Sequence, residues 1–378
     1  MDNKKLITIG IPAYKAEDHI CDCLASIQIQ TIRKELAIII AKDHPEDNYD
    51  FVLERYPDLD ITILDCEKNT GPGLARQRCA DAAKTEWITW IDADDVFIDP
   101  FALENLKNGI TYDAIEVQGA FAQEVDPNPM KIRMMPRNDE QHPWVFGRLY
   151  NLKFLKQNDI KFSKLRAMED GELNWKIRMS IEGTPLKINR LNKTLIYLWR
   201  KGSDHSITRI GMEENGGEPL YNWNLCQVGA TVASINAIKF CQKKNPFNGS
   251  ILRFTIEMMI GQYFTYVQCL EKKPLFAKQN FFNAKRFYHE CYEKIESQIT
   301  DDILKNMYTM QLAGHSRDMI GIIPQITFFQ FLEKIKNEPY KDKEEFEQIR
   351  EELPSWVKEL DLKSGVLGEE GYIEIEEN

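Results

Sequence analysis

The stretch from Trp87 to Asp95, WITWIDADD, restricts the fold of this chain more than any other. Its front half is a run of β-branched and aromatic residues, the composition of a strand covered on both faces in a parallel sheet. It then turns acidic at once, with Asp92, Asp94 and Asp95 inside four residues where such a strand would end. Open α/β sheets bind ligands outside the carboxyl ends of their strands. Carboxylates clustered there suit a hard divalent cation that also binds phosphate oxygens. The structural alternative is an acidic turn capping the helical pattern that begins at Asp99 and Pro100.

The segments before this strand predict its neighbours. Leu6 to Ile11 reads as a first strand ended by Pro12, and Glu17 to Ile29 as a helix with Ile20, Leu24 and Ile27 on one face. Leu36 to Ala41 and Ile61 to Cys66 read as the second and third strands, with a short helix near Tyr49 to Tyr56 between them. A glycine-containing loop, NTGPG, then opens a helix running from about Gly73 to Lys84. This β-α-β-α-β-α-β order predicts an α/β fold with a Rossmann-like, mainly parallel sheet flanked by helices. Asp43, Asn69 and the acidic cluster fall on its carboxyl rim.

Further on, Pro100 to Gly109 reads as a helix, Tyr112 to Phe121 as a strand, and Asp126 to Pro136 as a loop or hairpin excursion. Pro143 to Gln157 has helical apolar spacing, Arg166 to Ile181 forms a helix opening with MEDGE, and Leu195 to Trp199 is a late strand. Beyond Gly216 the character changes to long amphipathic helices as far as Leu360. The expected organisation is an α/β domain over 1–215, an α-helical C-terminal domain over 216–362 and a solvated acidic tail over 363–378.

A length of 378 residues suggests two domains. A net charge of -11 disfavours attraction to nucleic acid or anionic membrane through overall charge. The N-terminus runs straight into a strand without a signal-peptide core, and the apolar segment Ile251 to Leu270 is interrupted by Arg253, Glu257 and Gln262, so no transmembrane segment is expected. The eight cysteines form no CxxC pairs, which favours free thiols in a reducing, cytoplasmic setting.

Several motifs in order resemble a family-2-type glycosyltransferase with the GT-A fold, from about Leu6 to Thr208. ITIGIPAYKAEDHICDCLASIQIQT resembles its opening strand and helix, IIIAKD its second strand, and NTGPGLARQRCADAAKTEWITWIDADD its long central signature. PWVFGRLYNLKFLKQNDIKF resembles the acceptor-side region, MED the base motif, and YLWRKGSDHSIT the late Arg followed by Ser-Ile-Thr. The resemblance implies an inverting transferase of the hexosyltransferase type that uses a nucleotide diphosphate sugar, usually a UDP-sugar, with Mn²⁺ or Mg²⁺.

It further implies roles. Pro12, Ala13 and Tyr14 wall the base pocket, Glu17 lies near ribose or base, and Asp43 accepts from the base imide N–H. At that point the chain departs from the family, since Lys42 replaces the first acid and His44-Pro45 the usual Gly-Ser. Asn69 and Gly71 bring backbone to the ligand, and Arg76 reaches the diphosphate or sugar. In the Asp92-Ala93-Asp94 signature, Asp92 bonds ribose or a sugar hydroxyl and Asp94 binds the metal. Asp95 is the more structural of the three. Asp170 is the general base, with Glu169 orienting it or holding the acceptor; both also suit a helix start, where acids are favoured. Arg200, His205 and Ser206 close over the diphosphate, with His205 a second metal ligand. Trp144, Arg148 and Tyr150 line the acceptor side or belong to the core.

Two other functions compete. A sugar nucleotidyltransferase is disfavoured, because IPAYKAED lacks the Gly-rich loop such enzymes carry after the first strand. A non-catalytic nucleotide-sugar or glycan-binding scaffold would need losses at the acidic signature or the base, and neither is visible. The acceptor is a hydroxyl on a glycan, wall polymer, protein or modified nucleic acid base. The C-terminal helices are open to three uses: docking that acceptor, forming a homo-oligomer, or extending the core.

Overall fold

The computed structural model describes residues 5–124, 132–134, 143–200, 224–245, 249–316, 319–367 and 372–376. The chain divides into two compact units, one of Met1–Lys164 with Gly183–His205 and one of Leu165–Glu182 with Ser206–Asn378. The expected boundary near 210–217 lies outside the described residues. Leu165–Glu182, read from sequence as part of the first domain, groups instead with the helical unit.

The first unit begins with β1 (Ile7–Ala13), α1 (Ile20–Gln28), β2 (Leu36–Lys42), α2 (Phe51–Arg55), β3 (Ile61–Leu64), α3 (Pro72–Ala82) and β4 (Trp87–Trp90). It continues with the two-residue β5 (Val96–Phe97), α4 (Ala102–Asn108), β6 (Ala114–Glu124), β7 (Ile132–Met134), β8 (Arg148–Asn151) and α5 (Leu152–Gln157). After α6 (Glu169–Ser180), which belongs to the second unit, the chain returns for β9 (Lys187–Trp199). The sheet order is β3-β2-β1-β4-β8-β6-β9-β5, with β7 paired to β6. β1 runs parallel to β2 and β4, and β2 parallel to β3. These four strands bring the carboxyl ends of β1, β2 and β4 side by side.

Burial on both faces explains why β1 and β4 are apolar without alternation: every residue of β4 is buried, and all of β1 except Pro12. Gly10 is required where β1 crosses the Trp90 indole. A Cβ there would sit 2.7 Å from Trp90 Cδ1 and 2.8 Å from Cys79 Cβ.

The sheet is less parallel than the sequence suggested, because β8 runs antiparallel to both β4 and β6. Pro143 to Gln157 is not one helix. Residues 148–151 pair in the sheet, and the helix starts only at Leu152, where the Asn151 side chain accepts from Phe154 N at 2.9 Å. The apolar spacing read as helical was partly that of a buried strand. Of the excursion expected over Asp126 to Pro136, residues 132–134 form β7 and the rest lies outside the described residues.

The second unit packs α6, α7 (Leu225–Lys244), α8 (Gly249–Lys272), α9 (Ala277–Phe287), α10 (Asp301–Gly314), α11 (Phe328–Asn337), α12 (Asp342–Glu352) and α13 (Ser355–Ser364). After α9 the chain continues as a π turn from Tyr288 and a 3₁₀ turn from Glu293. α11 starts with a capping box readable in its sequence: Gln330 N donates to Thr327 Oγ1, and Thr327 N donates to Gln330 Oε1. No described helix is long and apolar enough to cross a membrane.

The solvated tail is a further correction. Val366, Leu367, Tyr372 and Ile373 are all buried, in one cluster with Leu165, Ala167, Leu225, Val228, Val232 and Phe346. Only the acidic residues of this segment had suggested solvent. The apolar ones between them are part of the core.

Candidate functional site

The loops after β1 and β2 are laced together at the rim. Asp43 N donates to Ala13 O at 2.7 Å, which fixes the β2 end beside the buried Ala13. Asp47 is buried and receives Lys15 N at 2.7 Å and the Tyr49 hydroxyl at 2.9 Å, while that hydroxyl accepts from Ala16 N at 3.0 Å. Glu17 accepts from Asn48 N at 3.3 Å. Lys15 holds a φ of 48°, so the turn after Tyr14 is kept in a strained conformation by these bonds. Tyr14 remains 40% exposed, with the His44 ring edge-on to it at 5.7 Å and the half-buried Pro12 behind. The exposed Tyr14 ring, with Lys15 Nζ over it at 5.4 Å from the centroid, suits a flat ring as ligand.

Asp43 does something the sequence did not indicate. Its Oδ1 accepts from Thr70 N at 2.7 Å and Thr70 Oγ1 at 2.9 Å, and its Oδ2 accepts from Gly71 N at 2.9 Å. Asn69 Oδ1 shares the Gly71 N–H at 3.1 Å. Gly71 has a φ of 88° and is followed by Pro72 at the first position of α3. A buried carboxylate on β2 thus clamps the loop ahead of α3.

α3 then presents Arg76 to the acidic signature. Arg76 is only 6% exposed and donates from its Nη2 to Asp92 Oδ1 at 2.6 Å. It is a buried counter-charge to Asp92 rather than an outreaching cation. Asp95 is buried and joins β4 to β9: it accepts from the Tyr197 hydroxyl and from Arg200 N at 2.7 Å. The helix cap expected for Asp95 is not formed; its partners lie in and just after β9. The Arg200 guanidinium pairs with Asp22 at 2.8 Å and lies 4.0 Å from Glu124.

Between these two engaged acids stands Asp94, half-buried, with Ala93 buried beside it. Among the described residues no Lys or Arg forms an ion pair with Asp94. Burial, and then the charge of Asp92, push its carboxyl above the ordinary carboxylate range. Asp95 is pushed well above that range, by burial first and then by Asp94 and Asp92. The rim therefore carries excess negative charge in a partly desolvated place. Among the described residues, no group of three or more His, Cys, Asp or Glu could hold a metal ion by itself.

In the second unit, Glu169 and Asp170 open α6. Glu169 is buried, Asp170 is half-buried, and Asp170 Oδ1 accepts from Gly171 N at 2.8 Å. Met168, just ahead of the helix, has a φ of 65°, a conformation costing on the order of 1–3 kcal/mol for a non-glycine residue and held only by its surroundings.

Arg148 and Tyr150 are buried in the core, and Trp144 is half-buried against it. Arg148 and Glu116 form a buried ion pair at 2.5 Å, Tyr150 is fully buried against Trp90, and Trp144 stacks on Phe146. His205 and Ser206 lie outside the described residues. Sequence reasoning did not identify Asp47, Tyr49 or Tyr197, whose partners are far away along the chain or lie in an unremarkable turn.

Residues 8–169 match the model of Glycosyl transferase family 2. The Glycosyltransferase GlyA of Streptococcus pneumoniae serotype 4 is 27% identical over 234 residues, covering 55% of this chain and 32% of that protein. The Poly(ribitol-phosphate) beta-glucosyltransferase of Bacillus spizizenii is 28% identical over 184 residues, covering 43% of this chain and 28% of that protein. The chain spans about a third of the length of these curated relatives. Among solved structures, S. aureus TarS 1-349 in complex with UDP-GlcNAc superposes with a TM-score of 0.52 at 17% identity, covering 82% of this chain and 92% of that one. At that identity the likeness is one of fold, and the fold is GT-A.

Proposed function

We propose that the chain is an inverting, metal-dependent glycosyltransferase that moves a sugar from a nucleotide diphosphate sugar, a UDP-sugar in the first instance, to a hydroxyl acceptor. The observation that carries this reading is Asp94: a half-buried carboxylate without an ion-paired cation among the described residues, beside a second acid, at the carboxyl end of a central strand. Such a group asks for a cation. The donor set fits Mn²⁺ or Mg²⁺ shared with a diphosphate, since these ions commonly take one or two carboxylates and complete their shell with phosphate oxygens and water. Among the described residues the donors do not make an all-protein cage. When bound, the ion would neutralise charge building on the departing diphosphate.

The remaining work falls to the chain. Tyr14 offers its exposed ring to the base, and Glu17 and Asp47 keep that turn in place. Asp43 and Asn69 hold the Thr70–Gly71 backbone in position, which favours a positioning role for Asp43 over direct contact with a base. Arg76 holds Asp92 by its hydrogen bond, and Asp92 is the group for ribose or sugar hydroxyls. Asp170 takes the proton of the acceptor hydroxyl as its oxygen bonds to the anomeric carbon, while the bond from that carbon to the diphosphate oxygen breaks with its electron pair. Glu169 orients Asp170.

A panel of nucleotide sugars incubated with the protein, with and without Mn²⁺, tests this by release of the nucleoside diphosphate. Metal-dependent release from one donor that is lost in Asp170→Asn supports the reading. Metal-independent binding without release from any donor would favour a nucleotide-sugar-binding scaffold instead.

A further inference from the structure

The segment that follows α13 reaches the turn carrying Glu169 and Asp170. Leu165 and Ala167 are buried in one apolar cluster with Val366, Leu367, Tyr372 and Ile373, and Met168 packs against it. The Arg166 guanidinium lies so close to Gly365, itself at a φ of 61°, that a Cβ there would meet Nη1 at 2.8 Å. On the other side α7 leaves no room either: a Cβ on Gly229 would lie 2.7 Å from Ala167 O. The lead-in to the carboxylate pair is thus seated between α7 and the C-terminal segment.

A second line of contact reaches α6 itself. Glu172, one turn into the helix, is fully buried and forms an ion pair with Lys176 at 2.5 Å. It also accepts from Asn236 Nδ2 of α7 at 3.2 Å. The other end of the Asn236 amide accepts from Glu376 N at 3.1 Å. Asn236 therefore bridges the C-terminal segment to the helix that bears Asp170. Tyr372 anchors this segment, edge-on to Phe346 at 5.3 Å and with Arg286 over its ring at 4.6 Å.

We infer that residues 365–367 and 372–376 form a strap that positions the Glu169-Asp170 turn, with Asn236 and Tyr372 as positioning residues for the transfer reaction. The inference rests on the reading of Asp170 as the base. Met168 gives it a physical reason: a non-glycine residue at positive φ persists only where its surroundings over-determine it. The strap and α7 are those surroundings.

The test compares the native protein with a truncation ending at Glu370, with Tyr372→Ala and Tyr372→Phe, and with Asp170→Asn. Nucleoside diphosphate release is read as kcat and donor KM, and amide hydrogen exchange is followed over Leu165–Leu173. The truncation and Tyr372→Ala are expected to lower kcat by about tenfold or more with donor KM little changed, since misplacing a catalytic group by about 1 Å can cost 10²-fold. Exchange at Glu169–Glu172 should quicken in both. Tyr372→Phe keeps the ring and should keep the rate. Native kcat and native exchange in the truncation overturn the inference, as does a loss of kcat accompanied by faster exchange throughout the helical unit, which marks general unfolding. Asp170→Asn separates the two claims: native release in that variant defeats the reading of Asp170, whereas its inactivity beside an active truncation defeats only the strap.

Discussion

Replacing Asp43 by Asn changes one oxygen for an NH₂ group and separates two roles for this residue. The native carboxylate accepts three hydrogen bonds while 4% exposed. If the Asn oxygen keeps the two Thr70 donors, its NH₂ faces the Gly71 N–H, so one bond to a charged acceptor is lost. Such bonds contribute roughly 1.5–3 kcal/mol. The two that remain fall from charge-assisted to neutral strength, about half. Asn69 softens the loss, because its Oδ1 already shares the Gly71 N–H at 3.1 Å. The net cost is about 3 kcal/mol. At roughly 2–4 °C per kcal/mol for a domain of 150–250 residues, thermal unfolding of the first unit should fall by about 6–12 °C. The Asn69→Ala, Asp43→Asn double variant should lose more than the two single losses combined, since each residue backs up the other. The assay is calorimetry without ligand, followed by titration with UDP. A native melting temperature together with weakened UDP binding would refute the clamp and restore Asp43 as a direct base contact.

Other expected outcomes follow from single contacts. Gly10→Ala forces a methyl against Trp90 and Cys79 and should cost about 1–3 kcal/mol by denaturant unfolding. Tyr197→Phe removes the hydroxyl that donates to buried Asp95, and should cost roughly 1.5–3 kcal/mol and loosen the Arg200 backbone, seen as faster amide exchange there. Burial pushes the Asp361 carboxyl up to about 7. Because its folded value lies above the unfolded one, the folded state binds the extra proton, and stability falls as pH rises from about 4 through 7. Asp361→Asn keeps a group for the Asn224 amide and should be more stable than native at pH 8, by up to ~4 kcal/mol, with the advantage shrinking as pH falls and nearly gone only below about pH 4. The raised Asp94 carboxyl predicts that Mn²⁺ binding weakens as pH falls through its titration, because protons then compete with the ion; calorimetric titration at several pH values checks this.

The parallel half of the sheet was legible in the sequence because β1, β2 and β4 are near-continuous apolar runs, a pattern that burial on two faces produces and few other environments do. The acidic signature was legible for the same reason, as polar residues that break such a run abruptly. β8 was not. Four residues beside a capped helix carry too little periodicity to separate from it, and their strand character comes from pairing with β4 and β6. The tasks of Asp43, Arg76 and Asp95 were hidden because each is set by a partner elsewhere in the chain: Thr70 and Gly71, Asp92, and Tyr197. The end of the chain was misread because acids dominate EEGYIEIEEN. Tyr372, Ile373 and Ile375 among them were the signal of a segment with one side to bury.

The central claim, that Asp94 holds a divalent ion with a nucleotide diphosphate, is tested most directly by calorimetric titration of UDP into the native protein and into Asp94→Asn, each with and without Mn²⁺. The account predicts that Mn²⁺ tightens UDP binding to the native protein and that this gain disappears in Asp94→Asn while the variant melts at or above the native temperature. An equal gain from Mn²⁺ in both proteins, or none in either, would contradict it.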